Sequence, residues 1–174
     1  MHREDQFIPH LVVNNGPAAL KFYKEVFGAE AGDNMMTQDG QRLMHGEIVL
    51  DGHKLFLSDE FTAAEGGTCK KPETLGGTCV RITLMVDDAD ALVERAVAHG
   101  ARVLMPVADM FWGDRTGRLQ DPFGHMWTLA QHVKDLTPEE IEALPWVDFD
   151  GNPALGAEAN DIAFIPGNGI FVTA

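Results

Sequence analysis

Two histidines and one glutamate lie at positions whose side chains would share one face of a predicted sheet. His10 lies in the stretch FIPHLVV, and His45 and Glu47 lie in QRLMHGEIVL. Both stretches are predicted strands, in which every second residue shares a face. Two imidazoles and a carboxylate on one face could form a three-ligand site for Fe(II), Zn, Ni or Mn. The alternative is that His10 is a hydrogen-bonded wall residue, and that His45 and Glu47 bond to each other or to a ligand.

Aromatic and cationic side chains indicate a second chemistry, the binding of a small organic molecule. Phe56, Phe111 and Trp112 could stack on a flat ligand, as in pockets that combine aromatic walls with a few polar groups. Alternatively, Phe111 and Trp112 plug the pocket or pack at a dimer contact. Arg81 could pair with a carboxylate or phenolate of the ligand, or it could neutralise Glu47 internally.

An internal sequence repeat indicates which strands and helices position these residues. DGHKLFL at 51–57 returns as FGHMWTL at 123–129, and the FGAE motif after the first predicted helix has its counterpart in HGAR after the second. Each copy has the order β-α-β-β-β, with helices predicted from Pro17 to Gly28 and from Asp88 to Gly100. The sequence therefore predicts two modules, at about 6–59 and 79–132, joined by a glycine-rich linker at 60–78.

Each predicted sheet should carry its helix on one face and leave the other face for a pocket, because side chains alternate along a strand. The third strand divides into Met44, Ile48 and Leu50 toward the helix and His45, Glu47 and Val49 toward the pocket. We also place Arg81, Thr83 and Thr128 on the pocket side, and Trp127 in the core. The repeated His53 and His125 are predicted to face away from the pocket.

Three features carry a family resemblance: the β-α-β-β-β repeat, the motif FYKEVFGAE after the first strand, and the motif DPFGHMWTL at the end of the second module. By these features the chain resembles the vicinal oxygen chelate superfamily over residues 6 to 132. That superfamily includes glyoxalase I, bleomycin-resistance proteins and extradiol dioxygenases, and the chain is most similar to its uncharacterised glyoxalase-like branch. The resemblance implies an α+β fold, with two tandem βαβββ modules forming a cupped mixed sheet and helices on its outer face. It also implies a homodimer, and leaves open whether the cup closes within one chain or across the dimer.

In metal-dependent members, the ligands occupy positions that correspond here to Ile8, Phe56, Arg81 and Thr128. None of these residues is a good ligand for a divalent metal, so we expect no metal at the usual family positions and no cofactor. One hypothesis is a ligand-binding protein or metal-independent enzyme that encloses a small organic molecule. A second is a metal-dependent lyase, isomerase or dioxygenase that uses His10, His45 and Glu47. A third is a structural, partner-binding module with a filled cup.

Composition excludes other classes of function. The chain has 13 basic and 27 acidic residues and a formal charge of −14, which disfavours binding to nucleic acid. The charged N-terminus and the lack of a long apolar run predict a cytoplasmic protein without a membrane span, in which Cys69 and Cys79 are free thiols. Residues 133–174 are predicted to be a C-terminal extension with a short helix at 137–144, capped by Thr137 and Glu140.

Overall fold

The computed structural model describes residues 7–110, 112–137 and 139–140, and the backbone of two strands at 162–165 and 169–172. The first module consists of β1 (His10–Val13), α1 (Gly16–Phe27), β2 (Glu30–Met36), β3 (Leu43–Leu50) and β4 (His53–Asp59). The second consists of β5 (Arg81–Met85), α3 (Ala89–Ala98), β6 (Arg102–Asp109), β7 (Asp114–Gln120) and β8 (Met126–His132). The predicted element order is confirmed in both copies. The linker between them contains a 3-10 turn (Ala63–Glu65) and a short helix α2 (Pro72–Leu75), which the sequence analysis did not predict.

Each module forms its own four-stranded mixed sheet. The strand order is β1-β4-β3-β2 in the first sheet and β5-β8-β7-β6 in the second. The first strand of each module runs parallel to the last, whereas the remaining pairs are antiparallel. The α+β class and the two tandem modules are therefore confirmed.

The helices begin and end as their sequences predict. The Asn15 side chain accepts a hydrogen bond from the backbone N–H of Ala18 at the start of α1, and the Asp88 carboxylate accepts one from Ala91 at the start of α3. Helix α1 ends at Gly28, whose φ of 72° is the left-handed conformation that glycine adopts without steric cost. These caps fix the length of each helix and the face that it lays on its sheet.

The helix-facing sides of both sheets share one hydrophobic core, and Asp121 lies at its centre. The Asp121 carboxylate accepts hydrogen bonds from the Tyr23 hydroxyl (2.6 Å) and from the Trp127 indole N–H (2.9 Å). Trp127 is fully buried, as predicted, and its ring centroid lies 4.7 Å from that of Phe27. The FYKEVFGAE and DPFGHMWTL motifs therefore meet in space and join the two modules.

The two repeated histidines have different surroundings. His53 is exposed at the start of β4. His125 is buried, and its Nε2 lies 3.0 Å from the carbonyl oxygen of Val12 in the other module. Buried between the modules, His125 tethers the second to β1 of the first.

A β-bulge corrects the prediction for Met44. Met35 pairs with His45 and Met36 with Leu43, so Met44 is an extra residue on β3. Leu43 is buried in the core, whereas Met44 is 49% exposed. The prediction that Met44 shares the helix side with Ile48 and Leu50 was therefore wrong, because the bulge interrupts the alternation.

The described part of the C-terminal extension shows the predicted helix cap. The Thr137 hydroxyl accepts a hydrogen bond from the Glu140 N–H, and the Glu140 carboxylate accepts one from the Thr137 N–H. The rest of the predicted helix, to 144, lies outside the described residues. Further along the chain, β9 (Ile162–Ile165) and β10 (Gly169–Val172) form an antiparallel pair. Among the helices of the described ranges, none has the length and apolar character to cross a membrane.

Candidate functional site

The pocket face of the first sheet brings together two of the predicted histidines and one predicted aromatic residue. Phe56 on β4 is the direct neighbour of His10 on β1 and of Glu47 on β3. The Phe56 ring centroid lies 4.7 Å from that of His45 and 6.2 Å from that of His10, in edge-on arrangements. The His10 and His45 rings are 6.4 Å apart. We call His10, His45 and Phe56 the ring cluster.

Hydrogen bonding and burial set the chemistry of His10. Its Nε2 lies 3.0 Å from the Ser58 hydroxyl, which points to the same side of the sheet. Burial lowers the pKa of His10 below its ordinary value, and the nearby His45 lowers it further. The neutral imidazole is therefore favoured, and this form can both donate and accept a hydrogen bond.

Glu47 shares this face but is engaged by a lysine. Its carboxylate lies 3.1 Å from the Lys54 ammonium group. The backbone of Gly32 closes over it, so that a Cβ at Gly32 would lie 2.8 Å from the Glu47 side chain. The Glu47 carboxylate is thus neutralised by Lys54. The alternative that Arg81 neutralises Glu47 is therefore wrong. Over the described ranges of the chain, no three His, Cys, Asp or Glu residues form a group that could hold a metal ion.

A groove of about 570 Å³ opens beside the ring cluster. His10 and Ser58 form one wall, and the exposed bulge residue Met44 forms another. The linker completes it with Phe61 and the exposed free thiol of Cys69. This volume is typical of sites for small organic molecules. A larger depression of about 720 Å³ lies at the junction of the two modules, and none of the predicted site residues that the structure describes lines it.

The pocket face of the second sheet carries the other predicted residues. Thr83 on β5, Thr128 on β8 and Arg118 on β7 are consecutive neighbours across three strands. Arg81 lies two residues before Thr83 and therefore points to the same side. Thr128 is buried, whereas Arg81 and Thr83 are exposed. The pocket side predicted for Arg81, Thr83 and Thr128 agrees with these pairings.

Four residues of these two faces were missed as site candidates: Ser58, Met44, Thr116 and Arg118. Ser58 could have been found, since it alternates with Phe56. Thr116 and Arg118 alternate in the same way along RTGRLQD, which was predicted as a strand, but the two faces of that strand were not assigned from the sequence. Met44 depends on the bulge, which no periodic pattern predicts.

The turn between β6 and β7 holds Trp112 through a neighbouring carboxylate. The Trp112 indole N–H donates to Asp114 (2.9 Å), and His132 also lies against Asp114 at 3.1 Å. Arg115 pairs with Asp90 and Asp109 on the helix side of the sheet. Phe111 lies outside the described residues.

The residues at the four family metal positions do not suit a metal ion. Ile8 and Phe56 offer no donor atom, and the Phe56 ring is packed against two imidazoles. Arg81 carries a positive charge, and Thr128 offers only a neutral hydroxyl on a buried side chain. Divalent metals in proteins are bound by imidazole, thiolate or carboxylate groups. The residues at these four positions therefore do not fit a divalent metal ion.

Three similar proteins match this chain over most of its length. An uncharacterised protein of Mycobacterium tuberculosis (strain ATCC 25618 / H37Rv) is 38% identical over 148 residues, which are 85% of this chain and 86% of that protein. The crystal structure of an Arabidopsis thaliana gene product has a TM-score of 0.58 and 27% identity, covering 72% of this chain and 98% of its own. The structure of the fosfomycin resistance protein FosX from Listeria monocytogenes has a TM-score of 0.56 at 18% identity, covering 81% of this chain and 99% of its own, and shows likeness of fold alone. Residues 5–129 match the family model of the Glyoxalase/Bleomycin resistance protein/Dioxygenase superfamily, and the chain belongs to that superfamily.

Proposed function

We propose that the protein binds a small, flat organic molecule against the pocket face of its first sheet. The observation that carries this proposal is the ring cluster, in which Phe56 lies edge-on to both imidazoles on the face of the sheet opposite α1. Aromatic walls with a few polar groups are typical of ligand pockets, and edge-on rings leave room for stacking. His10 and Ser58 supply the hydrogen-bonding groups beside the rings.

Binding of 2-naphthol, a neutral two-ring probe, tests the proposal by isothermal titration calorimetry within a panel of flat aromatic compounds. We expect saturable binding by members of the panel, and a loss of about tenfold or more in affinity on Phe56→Ala, because the stacking wall is removed. Phe7→Ala is the matched control, since Phe7 precedes β1 and is 87% exposed. Equal affinities for both variants, or no saturable binding across the panel, would sink the proposal.

A metal-dependent lyase, isomerase or dioxygenase is the second candidate. The closeness of the His10 and His45 rings favours it, since both imidazoles lie on one face. The Glu47 carboxylate would have to exchange its Lys54 partner for the metal. Elemental analysis and melting curves with and without a chelator test it. Stoichiometric metal that disappears on His45→Ala would establish this candidate, and no response to Fe(II), Zn, Ni or Mn would exclude it.

We further propose that a homodimer encloses the ligand. The described residues that line the groove of the first sheet all lie between positions 10 and 69, and none of them belongs to the second module of the same chain. Exposed methionines occur beside both pocket faces, Met35 and Met44 in the first module and Met85 in the second. Such apolar surface is commonly covered by another protein surface. Light scattering after size-exclusion chromatography should give about twice the 19.0 kDa mass of one chain; a monomer with a full-strength ligand site would favour closure within the chain.

A further inference from the structure

The pocket face of the second sheet is cationic at its centre, although the chain as a whole is acidic. Alternation and register assign to this face the positions Arg81, Thr83, Met85, Arg102, Met105, Ala108, Thr116, Arg118, Gln120, Met126, Thr128 and Ala130. Three of these twelve residues are arginines and none is acidic. The carboxylate of the same parity, Asp114, stands at the far end of β7 and is engaged by Trp112 and His132.

Two buried hydroxyl groups on this face have no hydrogen-bond partner among the described residues. Thr116 is 4% exposed and Thr128 is 8% exposed. The Oγ1 atoms of both are buried, and neither has a partner in the part of the chain that the structure describes. A buried hydroxyl without a partner has lost its hydrogen bonds to water and gained none in return, so such groups call for an explanation. A ligand that accepts hydrogen bonds from them would provide one.

Arg118 stands between these hydroxyls and close to a second arginine. It is the cross-strand neighbour of Thr128 and lies two residues from Thr116 on the same strand. Burial lowers the pKa of the Arg118 guanidinium, and the positive charge of Arg81 lowers it further. Two like charges on a partly desolvated face repel each other, and an anion between them would remove that repulsion.

Arg115 on the helix side of this sheet has two acidic partners, whereas Arg81 on the pocket face has none among the described residues. Arg115, on the opposite side of the same strand, pairs with Asp90 and Asp109. None of the ion pairs within the described ranges involves Arg81. Arg81 therefore has no acidic partner in the part of the chain that the structure describes, although the chain has 27 acidic residues.

We propose that Arg81, Arg118, Thr116 and Thr128 bind the oxyanion group of an organic acid. Guanidinium groups bind the oxygens of carboxylates, phosphates and phosphonates through paired N–H donors, and the threonine hydroxyls add single donors. The proposal rests on the proposed function and its homodimer and deepens them: the ligand is an aromatic or amphipathic acid, whose flat part lies on the ring cluster of one protomer and whose charged end lies on the second sheet of the other protomer.

Titration of the full-length protein with acetate and with inorganic phosphate, followed by NMR at constant ionic strength, tests the anion site. Acetate and phosphate separate a carboxylate from a phosphate preference, and acetamide is the neutral match of acetate. We expect saturable shifts of the Arg118 and Arg81 Nε–H signals and of the Thr128 amide with at least one anion, and none with acetamide.

Substitutions separate a built site from general attraction between charges. Arg118→Gln and Arg81→Gln should each weaken anion binding by about tenfold or more, and Thr128→Val by a few-fold, since it keeps the shape and removes the hydroxyl. Lys21→Gln removes the same charge from the exposed side of α1 and should leave binding unchanged. Arg118→Lys keeps the charge and serves if Arg118→Gln fails to fold. Absence of saturation, or equal weakening by Lys21→Gln, would overturn the proposal.

Two further probes distinguish failure of this proposal from failure of the proposed function. 2-Naphthoate should bind more tightly than the neutral 2-naphthol, and Arg118→Gln should abolish that preference. If 2-naphthol binds and depends on Phe56 but 2-naphthoate gains nothing, the anion site is wrong and the proposed function stands. If acetate or phosphate saturates the arginines while no aromatic probe responds to Phe56→Ala, the proposed function is wrong and the anion site stands.

Discussion

Asp121 shows how one residue of a sequence motif can serve the fold instead of the chemistry. Its carboxylate accepts hydrogen bonds from Tyr23 and Trp127 through one oxygen, and from the backbone N–H groups of Phe123 and His125 through the other. Burial raises the pKa of the Tyr23 hydroxyl well above its usual value, and the negative charge of Asp121 adds to this effect. The motif DPFG therefore serves the fold, because its Asp121 holds the two modules together.

Asp121→Asn should lower the free energy of unfolding by about 3 kcal/mol, because the new amide N–H₂ would face the Tyr23 and Trp127 donors. Tyr23→Phe, which removes one donor and leaves the carboxylate in place, should cost about 1 kcal/mol. Urea denaturation of the two variants beside the wild type measures both values. Equal stability of Asp121→Asn and the wild type would show that the junction contributes little.

The pKa of His10 predicts a pH dependence of stability. Because the folded-state pKa is below the unfolded value near 6.5, the unfolded chain takes up the proton first as pH falls. The contribution of a neutral His10 is therefore present above pH 6.5 and is lost as pH falls through the lower, folded pKa. Melting temperatures from pH 7.5 to 5 should show the advantage of the wild type over His10→Asn shrinking toward acid.

His132 provides a control of opposite sign. Hydrogen bonds to Asp114 and Asp135 raise its pKa, so its contribution is present at low pH and is lost as pH rises through the folded value. The difference between the wild type and His132→Asn should therefore grow toward acid. Parallel trends for the two variants would contradict the assigned shifts.

At the scale of elements, caps and turns could be predicted from sequence, but strand register could not. Asn15, Pro17 and Gly28 mark the ends of α1 because each acts on its own neighbours. The alternation in β4 places Phe56 on the pocket face for the same local reason. The bulge at Met44 and the site role of Arg118 depend on which strands pair and in which register, so no local pattern reveals them. The 3-10 turn in the linker (Ala63–Glu65) contains Glu65, which accepts a hydrogen bond from Arg42. This hydrogen bond lowers the pKa of Glu65 to about 2.

The junction of α1 with β3 tolerates little added volume. A Cβ at Gly16 would lie 2.2 Å from the Cβ of Leu43 and 2.8 Å from the Asp59 carboxylate, which accepts hydrogen bonds from the backbone of both residues. Gly16→Ala should therefore cost about 3 kcal/mol, since the obstacle sits on the β3 backbone and cannot turn away. At Gly40 an added Cβ has open space, and only the left-handed φ of 70° disfavours a side chain. Gly40→Ala should therefore lower the free energy of unfolding by about 1 kcal/mol. Chemical denaturation ranks the two, and the reverse order would contradict this account.

At the scale of the whole molecule, the two modules should unfold together. The Tyr23–Asp121 and His125–Val12 contacts and the shared core leave neither module with a core of its own. All three tryptophans follow the linker, at positions 112, 127 and 146, so their fluorescence reports on the second half of the chain. In Gly16→Ala, which damages the first module, the fluorescence and circular dichroism midpoints should shift equally. Two separated transitions would show that the modules fold independently.

The free thiol at the edge of the groove makes the pocket open to chemical labelling. Cys69 lines the groove beside His10, whereas Cys79, the other exposed thiol, lies outside it. A maleimide dye should react with both, and an occupant of the groove should slow the reaction at Cys69 alone. Peptide mass spectrometry after short labelling times separates the two rates within one sample. Cys79 thus acts as a built-in reference for a reporter at Cys69, with which compound collections can be screened before the natural ligand has been identified.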